Sequence, residues 1–150
     1  MKVKSVQMVH ESVDAEDKRK HLEFIQGVIT RMGGNLFYLR GWSITLIGGL
    51  LALLSQQDNN KFSLMLLTGV VLVFWVYDGY FLSLERRYRA LYNKVRKQRV
   101  DEVDYSMDIR EFNGDKHNTI AYSMFSKTLA PFYLLFLAAS LYLIVRSFYG

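Results

Sequence analysis

Any chemistry in this sequence must come from a few ionisable residues set against an apolar background. His10, His21 and His117 are scattered, with no carboxylate at ligand spacing, and there is no cysteine. Neither a histidine–carboxylate nor a thiolate metal site is therefore expected. No nucleophile stands beside a base in a recognisable motif, and there is no P-loop. The Gly33-Gly34 and Gly48-Gly49 pairs lie inside helical patterns with no strand before them, which excludes a dinucleotide turn. The expectation is a chain that is not an enzyme and uses no cofactor.

Two arrangements of charge remain. Arg40 and Asp78 each interrupt an otherwise apolar stretch, and in an antiparallel hairpin they fall at about the same depth. An ionisable group at membrane depth is costly and usually faces protein, water or a counter-charge. A structural ion pair or a wetted interfacial carboxylate is the first expectation, and a gate or pore-lining role the second. The other arrangement is a basic run: Arg86, Arg87, Arg89, Lys94, Arg96, Lys97 and Arg99 against the single acid Glu85. Three partners suit it. Anionic lipid beside the membrane is one. The acidic stretch that follows, with Asp101, Glu102, Asp104, Asp108, Glu111 and Asp115, is another. The third is a nucleotide or oligonucleotide bound where several copies bring these cations together, with Tyr88 and Tyr92 available to stack on bases. Residue chemistry alone ranks lipid or self-pairing ahead of the nucleotide.

The elements that must carry these groups are helical. At 150 residues one domain is expected, and mean hydropathy near zero hides an alternation of apolar and charged blocks. Residues 1–17 read as a polar N-terminal arm, with Glu11, Ser12 and Asp14 as potential caps for a helix starting in the teens. No apolar core with a small-residue cleavage site opens the sequence, so a cleaved signal peptide is not expected. The pattern then predicts one long helix over 18–55, wet on one face in its first half and a membrane span over about 36–55. Arg40 and Trp42 fit the boundary, with the guanidinium reaching to headgroups. After a polar turn at 56–61, residues 62–82 are the clearest span. Residues 83–127 follow as a basic helix and an acidic arm. Leu84, Tyr88, Leu91 and Val95 form the helix's apolar stripe, and Val103, Tyr105, Met107 and Ile109 alternate as in a short strand. The third span is expected over 129–148, with Pro131 in its first turn after a cap at Ser126 or Thr128. Tyr133, Tyr142, Phe148 and Tyr149 read as interfacial aromatics, and Ala138, Ala139 and Ser140 as a small patch for helix contact. The fold class is thus all-α membrane protein: three transmembrane helices with long helical cytosolic extensions, and at most one short strand.

Two repeats run through the first long helix. Leu22, Ile25, Ile29, Met32, Leu36, Leu39, Ser43, Leu46, Leu50 and Leu53 follow steps of three and four, which is a heptad seam. Gly27, Gly34, Gly41 and Gly48 recur every seven residues on nearly the opposite side. The reading is close helix packing and a homo-oligomer. Lys and Arg are sparse in the 56–61 turn and abundant in 1–40 and 84–127. The positive-inside rule therefore puts the N-terminus in the cytoplasm.

Three segments, HLEFIQGVITRMGGNLFYLRGWSITL, WVYDGYFLSLERRYRALYNKVR and SMFSKTLAPFYLLF, resemble a family of small bacterial inner-membrane proteins. Some membrane proteins of this general kind are effectors of anti-phage systems, the Hailong type among them. The resemblance implies an oligomeric channel in the inner membrane, gated by a nucleotide or oligonucleotide that a partner nucleotidyltransferase makes. The alternative is a non-conducting anchor or scaffold that binds anionic lipid or a soluble partner.

Overall fold

A computed structural model of the protein describes the backbone of residues 2–55 and 61–149, and the side-chain surroundings of residues 13–54 and 61–148. The expected turn at 56–60 lies outside the described residues. The described elements, in order, are α1 (Lys2–Ser55), α2 (Lys61–Lys97), short 3-10 turns at Val100–Glu102, Arg110–Gly114 and Lys116–Asn118, α3 (Ile120–Met124), and α4 (Leu129–Tyr149). Three of these helices are long and apolar enough to cross a membrane. The all-α membrane class expected from the pattern is what the chain shows.

α1 runs without interruption through the residues read as a separate arm. Nothing in residues 10–18 stops a helix: there is no Gly or Pro, and Ala15, Glu16 and Lys18 are good formers. Glu16 also holds Lys20 one turn on, at 3.0 Å. The helix is therefore a rod of roughly 80 Å at 1.5 Å per residue.

α2 is the central element. It pairs with α1 along most of its length and carries α3 and α4 on another side, whereas α1 and α4 meet only briefly. Two apolar cores result. Ile47 of α1, Leu67, Val71 and Trp75 of α2, and Leu129 and Tyr133 of α4 fill the first. Ile25 and Ile29 of α1, Leu91 and Val95 of α2, and Val103 fill the second, at the polar end of the bundle.

Within the protomer the heptad seam does not stay on one face. Ile25, Ile29, Leu36, Ser43 and Ile47 are buried, Leu22, Met32, Leu39 and Leu50 are half-buried, and Leu46 and Leu53 point outward. A straight helix drifts by roughly 20° per heptad against a strict seven-residue repeat. By Leu53 the drift has carried the seam off the contact with α2, and the 3.6-residue spacing of Ile25, Ile29, Leu36, Ser43 and Ile47 prevails.

The alternating stretch 103–109 forms no strand, and none occurs among the described residues. It is the extended part of a strap, residues 101–115, that crosses the α1/α2 pair. Val103, Met107, Ile109 and Phe112 lie against Ile25, Ile29, Leu91 and Val95. Among the described residues no second extended segment offers a ladder, and Tyr105 breaks the run with φ 54° in the left-handed region.

Candidate functional site

Between the two cores lies a polar layer built from all three long helices. The Asp78 side chain is fully buried, and Arg40 donates from Nε to its Oδ2 at 3.0 Å. The Tyr133 hydroxyl donates to the same oxygen at 3.3 Å. The expected ion pair therefore forms, and Arg40 turns inward instead of reaching for headgroups. Trp42, two residues on, faces outward as expected of a boundary residue. Tyr133 was read as an interfacial aromatic, but it is buried, stacked on Trp75 with ring centroids 6.1 Å apart. A tyrosine one turn into a span is ambiguous in sequence, because only the packing decides whether its hydroxyl meets water or a carboxylate.

The other hydroxyls of this layer are spent on their own helices. Ser43 Oγ donates to the Arg40 carbonyl at 2.9 Å, and Ser83 Oγ to the Tyr80 carbonyl at 2.7 Å. Further along, Thr68 meets Ser140 at 3.3 Å between α2 and α4, which fulfils the small-patch expectation at Ser140. No nucleophile is poised against a base here. The layer compensates a charge and joins three helices.

The seven basic residues of α2 and its C-terminal end do not converge within the protomer. Arg86 donates to the His117 carbonyl at 2.9 Å and to Ser123 at 3.2 Å, and Arg87 donates to the Asn118 carbonyl at 3.3 Å. Arg89 pairs with Glu85 at 2.7 Å, Lys94 with Glu111 at 2.8 Å, and Arg99 with Asp101 at 3.3 Å. The Glu111 carboxylate raises the Lys94 pKa, chiefly through this hydrogen bond. Among the described residues, the Arg96 and Lys97 side chains have no acidic partner. Self-pairing with the acidic arm thus occupies Lys94 and Arg99.

Two further contacts order this end, one inside the strap and one at the end of α2. Asp108 accepts from the Arg110 guanidinium and backbone N–H, which lowers its pKa below the usual carboxylate range. Lys18 of α1 reaches across to the end of α2, donating to the Gln98 carbonyl at 2.5 Å and the Arg96 carbonyl at 3.5 Å. A helix end leaves its last carbonyls unpaired, and a lysine ammonium is a natural partner. Nothing in the spacing of Lys18 distinguishes it from Arg19 or Lys20; only the crossing of α1 past the α2 terminus selects it.

Strap and helices leave two grooves at this end. One of about 240 Å³ has Lys94 and Gln98 on one wall and Asp104, Asp108 and Glu111 on the other. A wider one of about 620 Å³ lies between Phe24, Val28 and Arg31 of α1 and Tyr105 and Met107 of the strap. At its edge His21 packs edge-on to Tyr105 at 5.6 Å. Among the described residues, no group of three His, Asp or Glu side chains is placed to hold a metal ion.

The glycine row lies on the face of α1 turned away from α2. A Cβ added at Gly27, Gly34, Gly41 or Gly48 would meet nothing within 4 Å. Among the described residues, nothing packs against these four positions. Gly79 is the contrary case: α3 crosses α2 there, and an added Cβ would run into the Met124 side chain. The Trp75 indole fixes the same crossing by donating to the Met124 carbonyl at 3.0 Å. Comparison with models of protein families, with curated proteins and with solved structures returned no match for this chain.

Proposed function

We propose that this chain is the subunit of a homo-oligomeric, channel-like assembly in a bacterial inner membrane, with the N-terminus and residues 84–127 on the cytoplasmic side. The observation that carries the reading is the bare glycine face of α1. Gly27, Gly34, Gly41 and Gly48 form a smooth stripe that no side chain among the described residues fills. Small residues at a constant interval let two helix backbones approach closely in lipid. The buried polar groups set the rest of the argument. Asp78, Ser43, Ser83 and Ser140 are sealed between helices, so a single protomer offers ions no polar path. Conduction would run between protomers, through a pore lined largely by apolar side chains and gated by wetting. A cytosolic nucleotide or oligonucleotide is the proposed signal, which follows the family resemblance. Arg96 and Lys97, which have no acidic partner among the described residues, are the cations an oligomer would bring together for it.

The test has two stages. Gly34→Leu and Gly41→Leu should leave the protomer folded, because a Cβ at either position meets nothing within 4 Å. Both should lower the oligomer mass measured by light scattering in detergent. Ion leakage from liposomes, with and without candidate nucleotides, then separates a channel from a scaffold. Absence of leakage from a folded oligomer under every ligand favours the second reading, a non-conducting anchor. That reading draws on the same sealed polar layer.

A further inference from the structure

Exposed aromatic side chains ring the bundle at one level. Asp78 is bonded to Arg40, so the residues around position 40 of α1 and position 78 of α2 share a height. At that height Phe37, Tyr38 and Trp42 of α1, and Tyr77 and Tyr80 of α2, are exposed. α3 joins this ring, since its Met124 packs on Gly79 and bonds to Trp75. Beside it, Phe125 lies edge-on to Trp75 with centroids 5.5 Å apart. Ile120, Tyr122 and Phe125 nevertheless face outward, Phe125 with 69% of its surface exposed. From Phe62 to Gly79 the rise along α2 is about 26 Å, close to the ~30 Å hydrocarbon thickness of a bilayer. With Phe62 at the opposite boundary, the ring would fall where hydrocarbon gives way to headgroups, which is where amphipathic aromatics concentrate.

The charges around α3 point the same way. Arg86 and Arg87 hold the His117 and Asn118 carbonyls, so the connector enters the layer with those backbone acceptors already satisfied. The Arg86 guanidinium also lies 5.3 Å from the Tyr122 ring centroid. Lys116 and Lys127 flank α3, are exposed, and have no acidic partner among the described residues. The acids of the strap lie on the far side of this connector in sequence, the nearest being Asp115, whose carboxylate accepts from the His117 backbone N–H at 2.9 Å.

We propose that residues 116–128 form a foot seated in the headgroup layer of the leaflet at the polar end, with Ile120, Tyr122 and Phe125 in the acyl boundary and Lys116 and Lys127 on anionic lipid headgroups. The surface is continuous with the lipid-facing sides of α2 and α4, and this continuity is what selects lipid as its occupant. The inference stands apart from conduction and from any nucleotide.

The chain has no cysteine, so single cysteines can be labelled cleanly. Phe125→Cys and, as a second reporter, Tyr122→Cys, each carrying an environment-sensitive fluorophore, are compared with Asn113→Cys in the strap after reconstitution into vesicles. The labels at 125 and 122 should be quenched by brominated acyl chains and protected from iodide, and the label at 113 the reverse. Quenching at 125 and 122 by iodide alone overturns the proposal. Protection from both quenchers overturns it too, because protein would then cover the foot. Enrichment of phosphatidylglycerol over phosphatidylcholine around the full-length protein reads the charges. Lys116→Gln and Lys127→Gln should each reduce it roughly fivefold, the factor for one cation at an anionic surface. Unchanged enrichment in the double variant overturns the choice of an anionic partner.

Discussion

Replacing Arg40 and replacing Asp78 should cost unequal amounts, although the two residues form one ion pair. The Asp78 side chain is wholly buried, its Oδ1 has no partner, and its Oδ2 takes both Arg40 and Tyr133. Arg40→Met therefore strands a carboxylate that no water reaches, and breaking a buried pair in this way costs roughly 3–5 kcal/mol. Asp78→Asn removes the charge but keeps the shape and an oxygen for Tyr133. The freed guanidinium is already 34% exposed and can swing along its stem to the headgroups. That variant should lose less, about 1.5–3 kcal/mol, the range for a hydrogen bond to a charged group. The double variant Arg40→Met/Asp78→Asn should fall well short of the sum, with a coupling of roughly 1–3 kcal/mol. Unfolding in mild detergent can be followed by the fluorescence of Trp75, which is buried in the first core. Exposed Trp42 is replaced by Phe to leave a single reporter. Equal and additive losses from the two single variants would refute the reasoning, because they would mean that the carboxylate is solvated or paired elsewhere.

Other consequences are smaller in scope. Gly79→Ala should weaken the docking of α3 by roughly 1–3 kcal/mol through overpacking against Met124; a red-shifted Trp75 emission reports it, and Met124→Ala in the same chain should restore the wild-type spectrum. Lys18→Met should raise amide hydrogen exchange over the last turn of α2, for a loss of about 1 kcal/mol, while Arg19→Met leaves it unchanged. Asp108 has a folded-state pKa below its ordinary value of 3.8. Its contribution is therefore present above that value and disappears as pH falls through the depressed one. A carboxyl resonance titrating below 3.8 by NMR, and returning to the ordinary range in Arg110→Gln, checks both sign and cause. Lys94 runs the opposite way: its pKa is raised by Glu111, so its contribution is complete below 10.5 and vanishes as pH rises through the elevated value. Glu111→Gln should bring the lysine back towards its ordinary titration.

Much of the fold is carried by local sequence. The helical, apolar character of 62–82, the stripe of Leu84, Tyr88, Leu91 and Val95, and the pairing of Arg40 with Asp78 all follow from periodicity and the cost of a lone charge. The cap at Ser126 is local too, with its hydroxyl accepting from the Leu129 N–H at 3.3 Å. What could not be read depends on non-local geometry. The strap shows period-two alternation because its apolar side chains meet a helix pair, and a helix pair rewards alternation as a neighbouring strand would. Tyr133 could be assigned only once α4 was known to lie against Asp78. The seven basic residues look like one patch in sequence. A helix scatters them around its circumference: distant groups take Arg86, Arg87 and Lys94, sequence neighbours take Arg89 and Arg99, and Arg96 and Lys97 have no acidic partner among the described residues.

The central position of α2 bears on how the chain enters a membrane. Asp78 is a poor passenger for an apolar helix crossing alone, but its counter-charge lies on the helix synthesised just before it. An α1–α2 hairpin that enters together carries the charge as a neutralised pair. α4 barely touches α1, and its tyrosine adds only a second donor to an oxygen that already has one. Lateral exit of α4 into lipid can therefore come last without leaving the first two helices uncompensated. By the same logic, α2 separated from α1 should be rejected by the insertion machinery or held at its exit until a basic partner arrives.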